Sequence, residues 1–144
     1  MQDIESRSDI DHLMRVFYEQ ALADHVIGYI FTDVAKLDLE HHLPIIGDFW
    51  ETMLFQSGDY AKYGRNPLDV HKTLHLRSAI RPEHFERWLK IFNESVDAEF
   101  AGDRADFLKM RANAIAGRMQ AFLNATDSAS IIPSETAAEF RSRQ

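Results

Sequence analysis

The chain has 144 residues, 45% of them hydrophobic, and a formal net charge of −7 at pH 7. This length and apolar content suffice for one hydrophobic core but not for two conventional domains. Cysteine is absent, which excludes disulfide bridges, thiolate metal clusters and a cysteine nucleophile. The negative charge argues against a nucleic-acid partner. No apolar run has the length of a signal peptide or a membrane span, so we expect a soluble, cytoplasmic protein with no membrane partner.

In the first part of the chain, apolar residues recur at helical spacing. One stripe predicts a helix over about residues 8–25, and a second predicts a helix over about 39–55. Pro44 falls near the first turns of the second helix, where its missing N–H does least harm. The apolar segment 28–36 between them is too short to classify, and we expect a short helical turn or connector there.

The second part of the chain begins with a stretch of turn residues. Residues 56–66 predict a loop, and Pro67 then opens a short helix that ends before Arg77. Pro82 begins a long amphipathic helix that should stop at Gly102. The last predicted helix covers about residues 103–124.

These patterns predict an all-α protein. Four sizeable helices, with shorter ones between them and no sustained period-two alternation, are typical of a helix-on-helix domain. We assign residues 1–124 to this domain. Residues 125–144 form a polar tail that we expect to be poorly ordered, with a frayed helix after Ser134.

Two pairs of histidines raise the question of a metal site. They are His41 with His42 and His71 with His75, in a chain that has seven histidines. The second pair has the spacing that places two imidazoles on one helix face, as in zinc proteases. Lys72 stands where that motif needs a glutamate, so the general base is missing and a zinc hydrolase is not supported. A lone histidine on a helix is more often a surface residue than a ligand.

A haem site asks for a different set of residues. It needs one strong imidazole ligand, a flat apolar slot and a few polar hydrogens opposite the ligand. Aromatic residues that could build such a slot are Phe17, Phe49, Trp50, Phe85, Trp88 and Phe92. Aromatic residues at helical spacing are more often simple core. Periodicity alone therefore leaves both interpretations open.

Several longer strings resemble one family over about residues 8–124. They are VFYEQALADHVIGYIF, HHLPIIGDFWETML, GDYAKYGRNPLDVH, EHFERWLKIFNESVDAEFAGDRA and RANAIAGRMQ. The FW pair, the NPxxxH segment and the HFxRWLxxF string stand in the order and near the spacing of the group III truncated haemoglobins, and the lack of a Gly-Gly pair agrees with that group. The resemblance implies a shortened globin, a two-on-two helical sandwich around a haem b.

The same resemblance implies roles for individual residues. His71 of NPLDVH matches the iron ligand on the proximal side. Tyr18, His42 and Trp88 match the polar residues of the distal, gas-binding side, and His42 matches a histidine that can move between the pocket and solvent. His41 should then face outward. The implied haem walls are Phe31, Ile46, Phe49, Trp50, Phe85 and Phe92.

Two features of the sequence leave questions open within this resemblance. His75 is a rival for His71, since a one-turn change of register would bring it toward the iron. Leu39 stands where many members have tryptophan, so we expect looser packing near the edge of the haem.

The resemblance implies that the protein binds dioxygen, nitric oxide and carbon monoxide. Three hydrogen-bond donors opposite His71 would polarise dioxygen and slow its release, which favours nitric oxide, oxygen or peroxide chemistry over bulk oxygen transport. No flavin or nicotinamide fingerprint is visible, so turnover as a nitric oxide dioxygenase or peroxidase would need a separate reductase. The alternatives are a ligand sensor and a haem-free helical interaction module, which would be colourless.

Overall fold

The computed structural model describes residues 1–58 and 60–130. In these ranges the chain forms the α-helices α1 (Arg7–Ala23), α2 (Leu39–Phe55), α3 (Pro67–Arg77), α4 (Pro82–Glu99) and α5 (Asp103–Ser130). They contain no β-strand, so the all-α prediction is confirmed. None of the described helices is long and apolar enough to cross a membrane.

The four long helices form two layers. α1 packs against α2 and against α4, and α4 packs against α5. The pair α1 and α2 therefore lies on the pair α4 and α5, which is the predicted two-on-two sandwich. The shorter α3 packs against α5. Fully buried side chains between the layers include Leu13, Phe17, Phe92, Val96 and Leu108, and burial of each stabilises the fold by about 1.5–3 kcal/mol.

Short helical segments occupy the two connections that flank α2. Ile30–Val34 is one turn of π-helix, in which the N–H of Ala35 donates to the carbonyl of Ile30 at 2.8 Å. Tyr60–Tyr63 is a 3₁₀ turn inside the segment predicted as a loop. Gly58 and Gly64, with φ values of 90° and 59°, let the chain bend on either side of this turn.

The 3₁₀ turn is held to the long helices by buried charge. Asp48 of α2 accepts a hydrogen bond from the hydroxyl of Tyr63 at 2.6 Å and one from Arg7 of α1 at 2.5 Å. Arg7 also donates to Glu51 at 2.9 Å. Gly47 leaves room for the guanidinium, since a Cβ there would lie 2.6 Å from its Nη2 atom. Asp48 of α2 thus joins Arg7 of α1 to Tyr63 of the following turn.

The helix α5 continues past its predicted end near residue 124. No glycine or proline follows Gly117 before Pro133, so the sequence contains no local stop signal. The added turn makes a tertiary contact, because Asp127 accepts a hydrogen bond from His75 of α3 at 2.6 Å. Residues 131–144, where we predicted a tail and a frayed helix after Ser134, lie outside the described residues.

Candidate functional site

A cavity of about 350 Å³ opens between the helices, a size typical of small-molecule sites. All five α-helices and the π-helical turn contribute to its wall, which is mostly apolar. The structure brings every candidate site residue of the sequence analysis to this wall: Tyr18, Phe31, His42, Ile46, Phe49, Trp50, His71, Phe85, Trp88 and Phe92.

His71 reaches the wall from a well-capped helix. Asn66 caps the start of α3 by accepting a hydrogen bond from the N–H of Leu68 at 3.0 Å, and Pro67 suits the first helical position. The Nδ1 atom of His71 lies 2.7 Å from the carbonyl oxygen of Pro67. A carbonyl can only accept, so Nδ1 carries the hydrogen and Nε2 keeps its lone pair.

The environment of His71 also favours the neutral imidazole. Burial lowers the pKa of His71 below its ordinary value, and the positive charge of Arg65 lowers it further, although the hydrogen bond to Pro67 acts in the opposite direction. A neutral imidazole with one free nitrogen is the form that binds a metal ion. His71 therefore has the protonation state of a metal ligand.

His75 is fully engaged elsewhere. Its Nδ1 atom accepts the backbone N–H of Ile80 at 2.8 Å, and its Nε2 atom lies 2.6 Å from the carboxylate of Asp127. The side chain is 4% exposed and is not part of the cavity wall. In this structure His71, and not His75, faces the cavity.

Tyr18 and His42 form a hydrogen-bonded pair on the α1 and α2 side of the cavity. The phenol oxygen lies 2.8 Å from Nε2 of the imidazole, and the two rings are nearly perpendicular at 88°. Burial raises the pKa of Tyr18 well above its ordinary value. Burial, together with the positive charge of Arg65, lowers the pKa of His42 to about 4. Both side chains are therefore neutral at pH 7.

Only one hydrogen can lie between the phenol oxygen of Tyr18 and Nε2 of His42. If Nε2–H of His42 donates to the phenol oxygen, the hydroxyl hydrogen of Tyr18 is free to point into the cavity. If the hydroxyl donates to Nε2, that hydrogen is used within the pair. Tyr18 and His42 together thus offer at most one hydrogen to a ligand at a time.

Stacked aromatic rings hold the indole of Trp88 in place. Its ring is nearly parallel to Phe92, with centroids 5.2 Å apart and an angle of 17°. Phe17 meets the same indole edge-on at 5.7 Å, and Trp50 lies against Phe92 at 5.3 Å. These contacts fix the plane of the indole on the wall.

Sequence reasoning missed Arg65, which also lies on the cavity wall. Its positive charge lowers the pKa of His42 on one side and of His71 on the other. Arg65 is partly buried, and a guanidinium on this wall can pair with carboxylates. It belongs to the segment predicted as a loop, and its position next to the NPxxxH string was the available signal.

Two further expectations concern residues beside the cavity. His41 is exposed, as expected for the outward-facing member of its pair. Leu39 packs, partly buried, against the main core and is not on the cavity wall. The expected looser packing near the edge of the haem stays a prediction.

Comparison with known proteins places the chain in a family. It is 32% identical over 121 residues to a group 3 truncated hemoglobin of Campylobacter jejuni, covering 82% of this chain and 91% of that protein. The crystal structure of a group III truncated hemoglobin from Campylobacter jejuni matches the fold with a TM-score of 0.74 and 32% identity, over 85% of this chain and 95% of that one. No protein-family model matches. The chain belongs to the group III truncated haemoglobins, and this membership implies a haem cofactor.

Proposed function

We propose that the cavity holds haem b, with Nε2 of His71 as the protein ligand of the iron, and that the protein binds diatomic gases on the other face of the haem. The observation that carries this proposal is the hydrogen bond from Nδ1 of His71 to Pro67, because it leaves Nε2 unprotonated on the wall of an apolar cavity. When bound, haem would supply an iron atom that can bind dioxygen, nitric oxide or carbon monoxide.

The other residues of the wall fit such a group. The flat aromatic and aliphatic surfaces would contact the macrocycle and exclude water, and they belong to Phe31, Ile46, Phe49, Trp50, Phe85 and Phe92. Arg65 would pair with the propionate carboxylates, since it is the arginine of the cavity wall among the described residues. The propionate end of the haem would then lie at Arg65.

The distal residues would act on the gas as hydrogen-bond donors. Tyr18 would donate its hydroxyl hydrogen while its oxygen accepts from His42, and Trp88 would donate from the indole nitrogen. Such donors retain a polar ligand and slow its release, which suits nitric oxide, oxygen or peroxide chemistry better than bulk oxygen transport. His42 would fix the direction of the phenol hydrogen and, by moving outward, open the path from solvent.

The absorption spectrum of the purified protein tests this proposal directly. We expect a haem spectrum in the oxidised, reduced and carbon monoxide forms of the wild type. The variant His71→Ala should lose stable haem, because it lacks the one strong bond between protein and iron. The matched control His75→Ala, one helical turn away, should retain haem absorption. A colourless wild type would instead support the haem-free interaction module, and haem loss in His75→Ala alone would assign the ligand to the other histidine.

Turnover is a separate question from binding. A nitric oxide dioxygenase or a peroxidase needs electrons, which we expect a separate reductase to supply. Nitric oxide consumption by the oxygenated protein, followed with and without a chemical reductant, measures this activity. Consumption that stops after one equivalent without reductant and continues with it shows that the protein can be re-reduced. Catalysis is indicated only if the rate with reductant exceeds that of myoglobin, an oxygen-binding protein, under the same conditions.

A further inference from the structure

The C-terminal end of α5 contacts the helix that carries His71. Asp127 on α5 lies 2.6 Å from Nε2 of His75, which follows His71 on α3 by one helical turn. Just after α3, the backbone N–H of Ile80 donates to Nδ1 of the same ring at 2.8 Å. The imidazole of His75 is therefore held at both nitrogens, once by α5 and once by the connection between α3 and α4.

The chemistry of these partners fixes the hydrogen positions. A backbone N–H can only donate, so Nδ1 of His75 accepts and Nε2 carries the hydrogen that it donates to the Asp127 carboxylate. The ring is 4% exposed, whereas the carboxylate is 60% exposed. A rotation of the ring would break both hydrogen bonds and leave buried polar atoms unpaired.

These hydrogen bonds give direction to a contact that is otherwise apolar. Leu74 of α3 packs against a cluster that includes Ile80, Met119 and Leu123. Apolar packing of this kind is not directional, and an eleven-residue helix has little stability of its own to hold its orientation. The two bonds to His75 are directional, and a rotation of α3 about its axis would break them.

We propose that Asp127 is a positioning residue for the haem ligand. Through His75 it sets the rotation of α3, and with it the direction in which Nε2 of His71 meets the iron. This inference rests on the proposed function of His71. It assigns a role to the last turns of α5, beyond residue 124, which the sequence analysis placed in a tail.

The test uses the full-length, haem-loaded protein and the variant Asp127→Ala. In the reduced protein, resonance Raman spectroscopy measures the iron–histidine stretching band, which responds to the tilt and strain of the ligand bond. We expect the band to shift in this variant. Haem transfer to excess apomyoglobin should become about twofold to fivefold faster, a modest effect because the carboxylate is mostly exposed.

Two further variants serve as controls. Asp127→Asn keeps an oxygen that can accept from Nε2 of His75, so it should restore most of the wild-type band. Asn124→Ala removes an exposed polar side chain one turn earlier on α5 and should leave the band and the transfer rate unchanged. The double variant His75→Ala with Asp127→Ala should shift the band no further than His75→Ala, since Asp127 acts through that ring.

A wild-type band in Asp127→Ala overturns the inference, even if the variant has a lower Tm, because the contact would then only stabilise the fold. An equal shift in Asn124→Ala overturns it as well. Failure of the proposed function looks different, since the wild type would then bind no haem or His71→Ala would keep the wild-type band.

Discussion

We expect a lower pH to open the path from solvent into the cavity, because it favours the outward position of His42. In the structure this imidazole is turned inward and bonded to Tyr18. Burial is the main cause that lowers its pKa from the ordinary value of 6.5 to about 4, and the charge of Arg65 adds to it. Turned outward into water, the same ring would protonate near pH 6.5. The inward position is therefore favoured above pH 6.5, and this preference is lost as the pH falls from 6.5 toward 4.

The two pKa values set the size of the effect. At pH 5, protonation stabilises the outward imidazole by about 2 kcal/mol and the inward one by about 0.1 kcal/mol. At pH 8 protonation stabilises neither the outward nor the inward imidazole. The hydrogen bond to Tyr18, worth about 1 kcal/mol, opposes opening at both pH values and so cancels in the comparison. The ratio of outward to inward His42 should thus rise by about thirtyfold between pH 8 and pH 5.

Flash photolysis of the carbon monoxide form measures this opening as an association rate. Carbon monoxide is the suitable ligand because it is less polar than dioxygen when bound and responds less to hydrogen-bond donors. The wild-type rate should rise by up to about thirtyfold as the pH falls from 8 to 5. The variant His42→Ala should be fast at every pH. A wild-type rate that is flat over this range, or a His42→Ala variant with the wild-type pH dependence, would refute the gating argument.

Four further variants test the distal donors and the packing of Gly47 against Arg7. Tyr18→Phe and Trp88→Phe should each speed dioxygen release about tenfold or more in stopped-flow experiments, because a hydrogen bond to a partly charged ligand is worth about 1.5–3 kcal/mol; equal changes for carbon monoxide would point to altered access. Gly47→Ala should lower the free energy of unfolding by about 1–3 kcal/mol in urea titrations, because the new Cβ would meet the pinned guanidinium of Arg7. Gly117→Ala, with nothing within 4 Å of the added Cβ, should be neutral or stabilising, and a loss there equal to that at position 47 would refute the steric reasoning.

The long helices could be predicted because each has several turns of apolar periodicity. α2 spans Leu39–Phe55, as predicted, since its stripe is clear and Asp38 caps its start. The prediction for α1 ended two residues late, because Asp24 leaves the helical conformation to accept from the N–H groups of Val26 and Ile27. The predicted end of α5 was too early, although no glycine or proline marks a stop there. The 3₁₀ turn is held by a tertiary hydrogen bond from Tyr63 to Asp48, which local propensity does not contain.

The site was only partly readable from the sequence. Aromatic periodicity alone could not separate a cofactor slot from ordinary core, and the resemblance to a family made the difference. The hydrogen shared by Tyr18 and His42 joins residues 24 positions apart, and the charge of Arg65 acts across the cavity. Both depend on how the helices pack, so no pattern within one segment could predict them.

The cavity wall contains both tryptophans of the chain, Trp50 and Trp88. An occupant that absorbs strongly where indole emits would therefore quench the whole tryptophan fluorescence of the protein, with no distant indole to add a background. The tryptophan emission of the unlabelled protein thus measures the fraction of cavities that contain haem. A titration with free haem should reach its end point at one equivalent, and residual emission would measure the fraction of empty protein in any preparation.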